Sequence, residues 1–318
     1  MASQGSKIYA TDYNIIQSAI ASVLGVGSGT SGYGLTSSTT PALNSSQIIG
    51  NPTITTTQWS NLRQDLINAY THQGSPGSLT IPSVPTRSNK VTASDYALYL
   101  ALSNACTSNK LAIPPSPQAS AVTFSTGTRT TAWNGTITHT VVMTFSDANH
   151  ARYYFNAGGY ITFQASLINY PGYPGYGTAD GSYTKNSDWN MLLSNMGTTT
   201  FGYNSTTNSG NGTGQTILSN VGYYQLTTSS QNIYRKVTSS STYTPNQYDI
   251  YAYVDGTGAV LTFSIQFQDL STAHSGNPYS TDWNVEGTLT SLVKGYYASG
   301  SYVSVTPPSI NSANPTIG

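Results

Sequence analysis

Four histidines and a thin set of carboxylates are the residues of this chain best equipped for acid–base or metal chemistry. The histidines are His72, His139, His150 and His274, and Glu286 is the single glutamate among eleven acidic residues. Asp147 and His150 stand three apart on an expected helix, so one face could carry both. Such a pair is one part of a catalytic triad, or of the carboxylate–histidine arrangement that orients a metal ligand. It is also the spacing of a surface pair or a helix cap, and no HExxH, GxSxG, P-loop or GxGxxG motif accompanies it. Glycoside hydrolysis needs two carboxylates across one cleft. Asp12, Asp95, Asp147, Asp188 and Asp255, however, stand in cap or turn contexts, which capping explains without chemistry. Asp180-Gly181-Ser182 with Asp188 could ring a calcium ion, but the spacing is not that of an EF-hand loop. The tripeptide Asp-Trp-Asn occurs at 188–190 and again at 282–284. Trp189 and Trp283, with Tyr170, Tyr173 and Tyr176, are the candidate contacts for a glycan or a partner, because ring faces stack on saccharides without needing charge. The tryptophans serve equally well as core anchors. These residues name no catalytic group, no metal and no cofactor, and the expectation is a protein that is not an enzyme.

The elements that must position these residues fall into two kinds. Thr11-Asp12 opens a helix carrying Ile15, Ile16, Ala19, Ile20, Val23 and Leu24, an apolar stripe at helical spacing that Gly25 ends. A Gly/Ser/Thr/Tyr segment follows to Thr40. A second helix starts near Thr55–Thr57, carries Trp59, Leu62, Leu66, Ile67 and Ala69, and ends by Gly74. A third starts at Thr92–Ser94 with Tyr96, Leu98, Tyr99, Leu100 and Leu102. Thr11-Asp12-Tyr13 and Ser94-Asp95-Tyr96 look like one device used twice, with an acid where the helix dipole favours an anion. Such helices bundle or dock on a partner. Tyr13, Ile16, Trp59, Leu66, Tyr96 and Tyr99 are the candidate docking residues.

The prolines of 113–118 mark the expected boundary, because proline at that density ends helix. The pattern then alternates with period two. Leu261, Phe263, Ile265 and Phe267 make the strongest half-buried strand, and Asp255-Gly256-Thr257-Gly258 is the hairpin turn that joins it to 248–254. Ile161 to Leu167 alternates likewise, and further strands are expected near 120–131, 135–145, 198–203, 215–228, 232–239, 286–295 and 300–306. Short helices are expected from Ser146-Asp147 to Asn156 and from Ser187-Asp188 to Asn195. The fold class is therefore α+β. A helical docking region at 1–112 is followed by a mainly antiparallel, sandwich-like β domain at 119–306 and a tail at 307–318.

Only 7% of the 318 residues are charged, and eleven basic residues balance eleven acidic ones, against roughly 25% charged in an ordinary domain. A neutral surface gives poor protection against association. It also offers no basic stripe for nucleic acid. No apolar run is long enough to span a membrane, and Met1 to Lys7 shows no apolar leader core. Sequons at Asn44, Asn134, Asn204 and Asn211 read as abundant Asn and Thr. The single Cys106 excludes an internal disulfide and suits a reducing compartment. The 25 tyrosines fit either cross-strand aromatic pairs or adaptable contact surfaces.

Several short blocks carry a resemblance. Thr11-Asp12-Tyr13-Asn14, Gly32-Tyr33-Gly34, and Gln58-Trp59 through His72-Gln73 resemble segments of virion structural proteins of marine and cyanobacterial tailed phages, chiefly the large contractile-tailed ones. His150-Ala151-Arg152-Tyr153-Tyr154-Phe155-Asn156-Ala157-Gly158-Gly159 is similar to an aromatic–Asn–x–Gly–Gly block in such proteins, as are the helix led by Trp189 and the ending Tyr302 to Ile310. The resemblance implies a virion subunit assembled in the host cytoplasm, of the tail, baseplate, neck or fibre apparatus. The alternatives are a capsid decoration protein or a glycan-binding attachment module. The partners implied are copies of itself in a trimer or ring, other virion proteins and a host surface glycan, with no nucleic acid and no membrane span. No catalytic residue comes with the resemblance.

Overall fold

The computed structural model describes residues 7–50, 53–86, 91–114, 119–169, 182–240, 243–271, 275–277, 280–281, 283–311 and 317–318. The fold is α+β, with helices at the N-terminal end and a mainly β remainder. The chain divides into two units, and the division does not follow the sequence. The first unit is 1–120 with 149–159 and 296–307; the second is 121–148, 160–295 and 308–318. The expected boundary at 113–118, of which 115–118 lie outside the described residues, does separate helices from strands. It misses the two later segments that return to the helical unit.

The first unit is built on α1 (Ala10–Leu24), α2 (Thr56–His72), α3 (Ala93–Ser108) and α4 (Ala148–Asn156). The paired start device is present: Asp12 accepts a 3.0 Å bond from the Tyr9 amide, and Asp95 a 2.8 Å bond from the Thr92 amide. Each acid sits in the first turn and satisfies a donor the helix cannot. Thr55 and Gln58 cap α2 in the same reciprocal way. The buried stripe of α1 runs through Tyr13, Ile16, Gln17, Ile20, Val23 and Leu24, while Ile15, expected inside, is exposed. Tyr13 meets Trp59 edge-on at 5.2 Å, and Trp59 lies 4.8 Å from Tyr99. Tyr13, Ile16, Trp59, Leu66, Tyr96 and Tyr99 are all buried in this unit's own core. They hold α1, α2 and α3 together and leave no ring or aliphatic face for a partner, which corrects their reading as docking residues.

The second unit holds two sheets. One has the order β1 (Ala119–Arg129), β12 (Thr288–Ala298), β3 (Tyr160–Ile168), β4 (Thr199–Phe201), β5 (Thr206–Asn208). The other has the order β13 (Ser309–Asn311), β2 (Gly135–Thr144), β9 (Val260–Asp269), β8 (Gln247–Val254), β7 (Gln231–Val237), β6 (Thr216–Leu218). A small pair, β10 (Ser275–Asn277) and β11 (Ser280–Thr281), stands apart from both sheets. Strands β2 and β9 pair antiparallel without a break from Gly135↔Asp269 to Thr144↔Val260. The turn at Asp255–Gly258 joins β8 to β9, with the Asp255 amide donating to Val260 O at 2.9 Å. Leu261, Phe263, Ile265 and Phe267 are fully buried, and Ser264, Gln266 and Gln268 are only partly so. The sheets meet through Phe263, which lies 5.2 Å from both Phe163 and Phe201. α5 (Ser182–Met196) lies between β3 and β4 in the chain and inserts Trp189 against Trp133 and Phe267.

Three further expectations change. α5 begins at Ser182, not at Ser187-Asp188, because Asp188 is used inside the helix as an acceptor for Thr238 at 2.6 Å. The segment 300–306 is not a strand; it contributes buried Val303 and Val305 to the first unit's core. The expected tail is partly in the sheet: β13 pairs with β2, Ile317 is fully buried, and Gly318 exchanges bonds with Thr138.

Candidate functional site

Three constellations in the fold gather polar side chains. The first surrounds the Gly-rich segment after α1. Arg152 and Asn156 stand four apart on one face of α4. The Arg152 guanidinium donates to the carbonyls of Val26 (2.7 Å), Gly27 (3.3 Å), Gly29 (3.3 Å) and Ser31, and to Asn149 Oδ1. The Asn156 amide donates to Gly29 and Gly32 O, both at 3.1 Å. A planar fork of donors suits a curved row of carbonyls, and a lysine would not replace it. At Gly34, φ is +86° and a Cβ would collide with the Tyr153 ring, so only glycine lets the loop lie on α4. Gly158, at φ +82°, turns the chain back after α4. Around this loop, Gln73 donates to the Tyr33 hydroxyl and to Cys106 O, each at 3.0 Å. His72 Nε2 donates to Ala157 O at 3.1 Å, which leaves its Nδ1 unprotonated. Nδ1 has no partner among the described residues, and burial holds His72 down at about 4. Burial pushes the Cys106 thiol up to about 12, so it stays protonated and inert. These groups build a body and are closed to a substrate.

The second constellation is the core of the two-sheet unit. His139 occupies an inward position on β2, in phase with Ile137, Val141 and Met143. It is fully buried, with Nε2 2.8 Å from Ser125 Oγ and Nδ1 2.9 Å from Ser291 Oγ. Gly127 makes room: a Cβ there would stand 3.1 Å from the imidazole. No carboxylate orients this ring, so it is not a triad, and burial holds it down at about 4. Lys185 and Asp269 form a fully buried ion pair at 3.1 Å, and burial raises Asp269 despite the ammonium beside it. On the other side of the six-stranded sheet, Asp249 accepts from Arg235 Nε (2.6 Å) and Nη2 (3.0 Å), from Asn232 and from Gln268. Each acid is spent on structure.

The third constellation is open. A cleft of about 330 Å³ in the two-sheet unit is lined by Thr130, Ala132, Asn169, Glu286, Gly287 and Thr288. Its walls are tied from behind. Arg129 donates to Thr131 O, Ala132 O and Ile317 O. The Glu286 amide donates to Asn186 Oδ1 at 2.7 Å. Trp133 and Val285 exchange backbone bonds of 3.0 and 2.8 Å, and Asn134 Nδ2 holds Trp283 O at 2.7 Å.

Of the residues singled out in the sequence, Trp283 is exposed at 58% and Trp189 is fully buried at 0%. Trp189 is therefore corrected to a core anchor, and the repeated Asp-Trp-Asn has two unrelated settings. Tyr170, Tyr173, Tyr176, Asp180 and His274 lie outside the described residues. His150 lies 5.8 Å from the Tyr153 ring. No group of three His, Cys, Asp or Glu side chains is arranged for a metal among the described residues. None of their helices is long and apolar enough to cross a membrane. Sequence reasoning missed Thr130, Asn169 and Thr288, for which no sequence signal exists. It also missed the inward phase of His139, which the alternation of β2 does carry. Comparison with protein-family models, curated proteins and solved structures finds no match to this chain.

Proposed function

We propose that the chain is a structural subunit of a tailed-phage virion, in the tail, baseplate, neck or fibre apparatus, acting by association with copies of itself and with neighbouring virion proteins. One observation carries the reading. Most of the blocks that bear the resemblance are far apart in sequence, yet they belong to the first unit, whereas the helix led by Trp189 and residues 308–310 belong to the second. Tyr13 packs on Trp59. Gln73 bonds Tyr33, and His72 lies edge-on to Tyr33 at 5.3 Å and bonds Ala157. Gly34 seats against Tyr153, and Val303 and Val305 join the same core. Scattered short matches in a Ser/Thr/Gly-rich chain carry little weight singly. Blocks that pack into one body describe a single module of this chain, and that supports reading them together.

The surface is consistent with this role. With a net charge of zero, copies meet no long-range repulsion. The outward positions of β9 include the uncharged Ser264, Gln266 and Gln268. An antibody to the purified chain, applied to particles of the encoding phage and imaged by immunogold microscopy, tests the proposal. Label at the tail, baseplate or neck supports it. Label on the capsid surface moves the protein to a decoration role, and intact or opened particles without label overturn the reading.

A further inference from the structure

We propose that the outer edge of β1, from Ala121 to Thr126, pairs antiparallel with the same edge of a second copy of this chain. The proposal rests on the assembly reading and deepens it, by naming a surface through which copies meet. Among the described residues the two large sheets end in four edge strands, β1 and β5 on one and β13 and β6 on the other. β5, β6 and β13 are each only three residues long, and a short edge is one of the ways a sheet avoids pairing with other chains. β1 runs for 11 residues. It has no proline, and Arg129 at its end is its single charged residue, so edge lysine and edge proline, two other common protections, are missing as well. Val122-Thr123-Phe124-Ser125-Thr126 is rich in the β-branched and aromatic residues that suit a sheet.

Exposure along the strand says which part is open. Ala121, Val122 and Thr123 are exposed in succession, with Val122 at 38%, whereas a strand covered on one face alternates. The far end is taken: Arg129 Nη1 donates to Ile317 O at 2.8 Å, and a Cβ on Gly127 would stand 2.9 Å from the Ile317 side chain. The occupant follows from charge and symmetry. From Ala119 to Thr128 nothing is charged, so the edge offers no charge pattern that selects a foreign strand, and copies meet there without repulsion. A row of backbone donors and acceptors is complementary to itself when turned about a two-fold axis, the isologous contact of the commonest oligomers. Arg129 fixes the direction. Parallel pairing in register would set the two guanidinium groups side by side. Antiparallel pairing centred within Ala121–Thr123 holds them roughly 40 Å or more apart at the rise of a strand, and it brings the two Val122 side chains together across the axis. Such a contact uses one edge of each copy and leaves the remaining surface free to close a larger assembly.

The test uses the full chain with one cysteine introduced at a time, as Ala121→Cys, Val122→Cys, Thr123→Cys and Thr126→Cys, under mild oxidation. Cys106 is fully buried and does not compete. Opposed residues of an antiparallel pair lie about 4.5–5.5 Å apart, within disulfide reach, whereas the two copies of Thr126 would stand roughly 20 Å or more apart. The expected result is a covalent dimer on a non-reducing gel from at least one of the first three variants and none from Thr126→Cys. Val122→Lys sets like charges close together across the axis and should weaken association, read by sedimentation velocity across a concentration series, by roughly tenfold or more. Its melting temperature should match that of the wild-type chain, because the side chain is exposed. The proposal is overturned if the first three cysteines give no covalent dimer, or if Val122→Lys leaves association unchanged. Copies that associate regardless of both results leave the assembly reading standing without this contact. A chain that stays monomeric overturns both, and cross-linked copies with unlabelled particles overturn the virion reading alone.

Discussion

Acidification should destabilise the two-sheet unit through His139, by an amount the structure sets. The ring is fully buried between Ser125 and Ser291, and burial lowers it from 6.5 to about 4. Above pH 6.5 neither the folded nor the unfolded chain holds the proton. As pH falls from 6.5 toward 4, the unfolded chain takes up a proton that the folded chain refuses, so stability falls with pH. At about 1.4 kcal/mol per pKa unit, the gap is worth roughly 3 kcal/mol, lost almost wholly by about pH 4. The two hydroxyls could accept from an imidazolium, so the cost is desolvation with no counter-charge beside the ring. Asp188 and Asp269 act with the opposite sign. Burial raises both, so the folded chain takes up their protons first and gains stability in acid, which blunts the loss near its lower end. The assay is urea unfolding followed by circular dichroism at steps from about pH 7 to about pH 4.5. His139→Met should lower stability at neutral pH, because two buried hydroxyls lose a partner, and should flatten the acid slope. A slope that is absent in the wild-type chain, or one unchanged in His139→Met, refutes the reasoning.

Two other perturbations test the framework. Arg152→Met removes the donors that hold the carbonyls of Val26, Gly27, Gly29 and Ser31; it should cost about 2–4 kcal/mol and raise amide exchange across 25–34 ahead of the rest of the chain, as hydrogen-exchange mass spectrometry would read. Lys185→Met strands a buried carboxylate at Asp269 and should cost roughly 3–5 kcal/mol in urea unfolding, most of it recovered in the double variant with Asp269→Leu.

Local pattern made part of this molecule legible. The alternation of Leu261 to Phe267 gave strand β9 and its buried face, and the Asp255–Gly258 turn gave its hairpin. The acids at 12 and 95 and the Thr55/Gln58 pair gave helix starts, because capping is local chemistry. What the sequence hid was long-range. Nothing near Arg152 announces that its donors answer carbonyls more than a hundred residues earlier, and nothing near Val303 says that it returns to the helical core. Tyr13 and Trp59 were read as docking residues because an amphipathic stripe shows that a face is covered and not by what. Trp189 and Trp283 share a tripeptide, yet a helix turns one inward and the other stands exposed. The cleft draws on three separated segments, 130–132, 169 and 286–288, and only Glu286 stands out in the sequence.

The account rests on association between copies, and multi-angle light scattering across a concentration series, with negative-stain images of the same sample, measures that directly. The account predicts a discrete closed species at a whole multiple of the 33.7 kDa chain, seen as a trimer, ring or short rod, since structural oligomers close by point symmetry. A monodisperse 33.7 kDa species that holds its mass up to the highest concentration reached would contradict it.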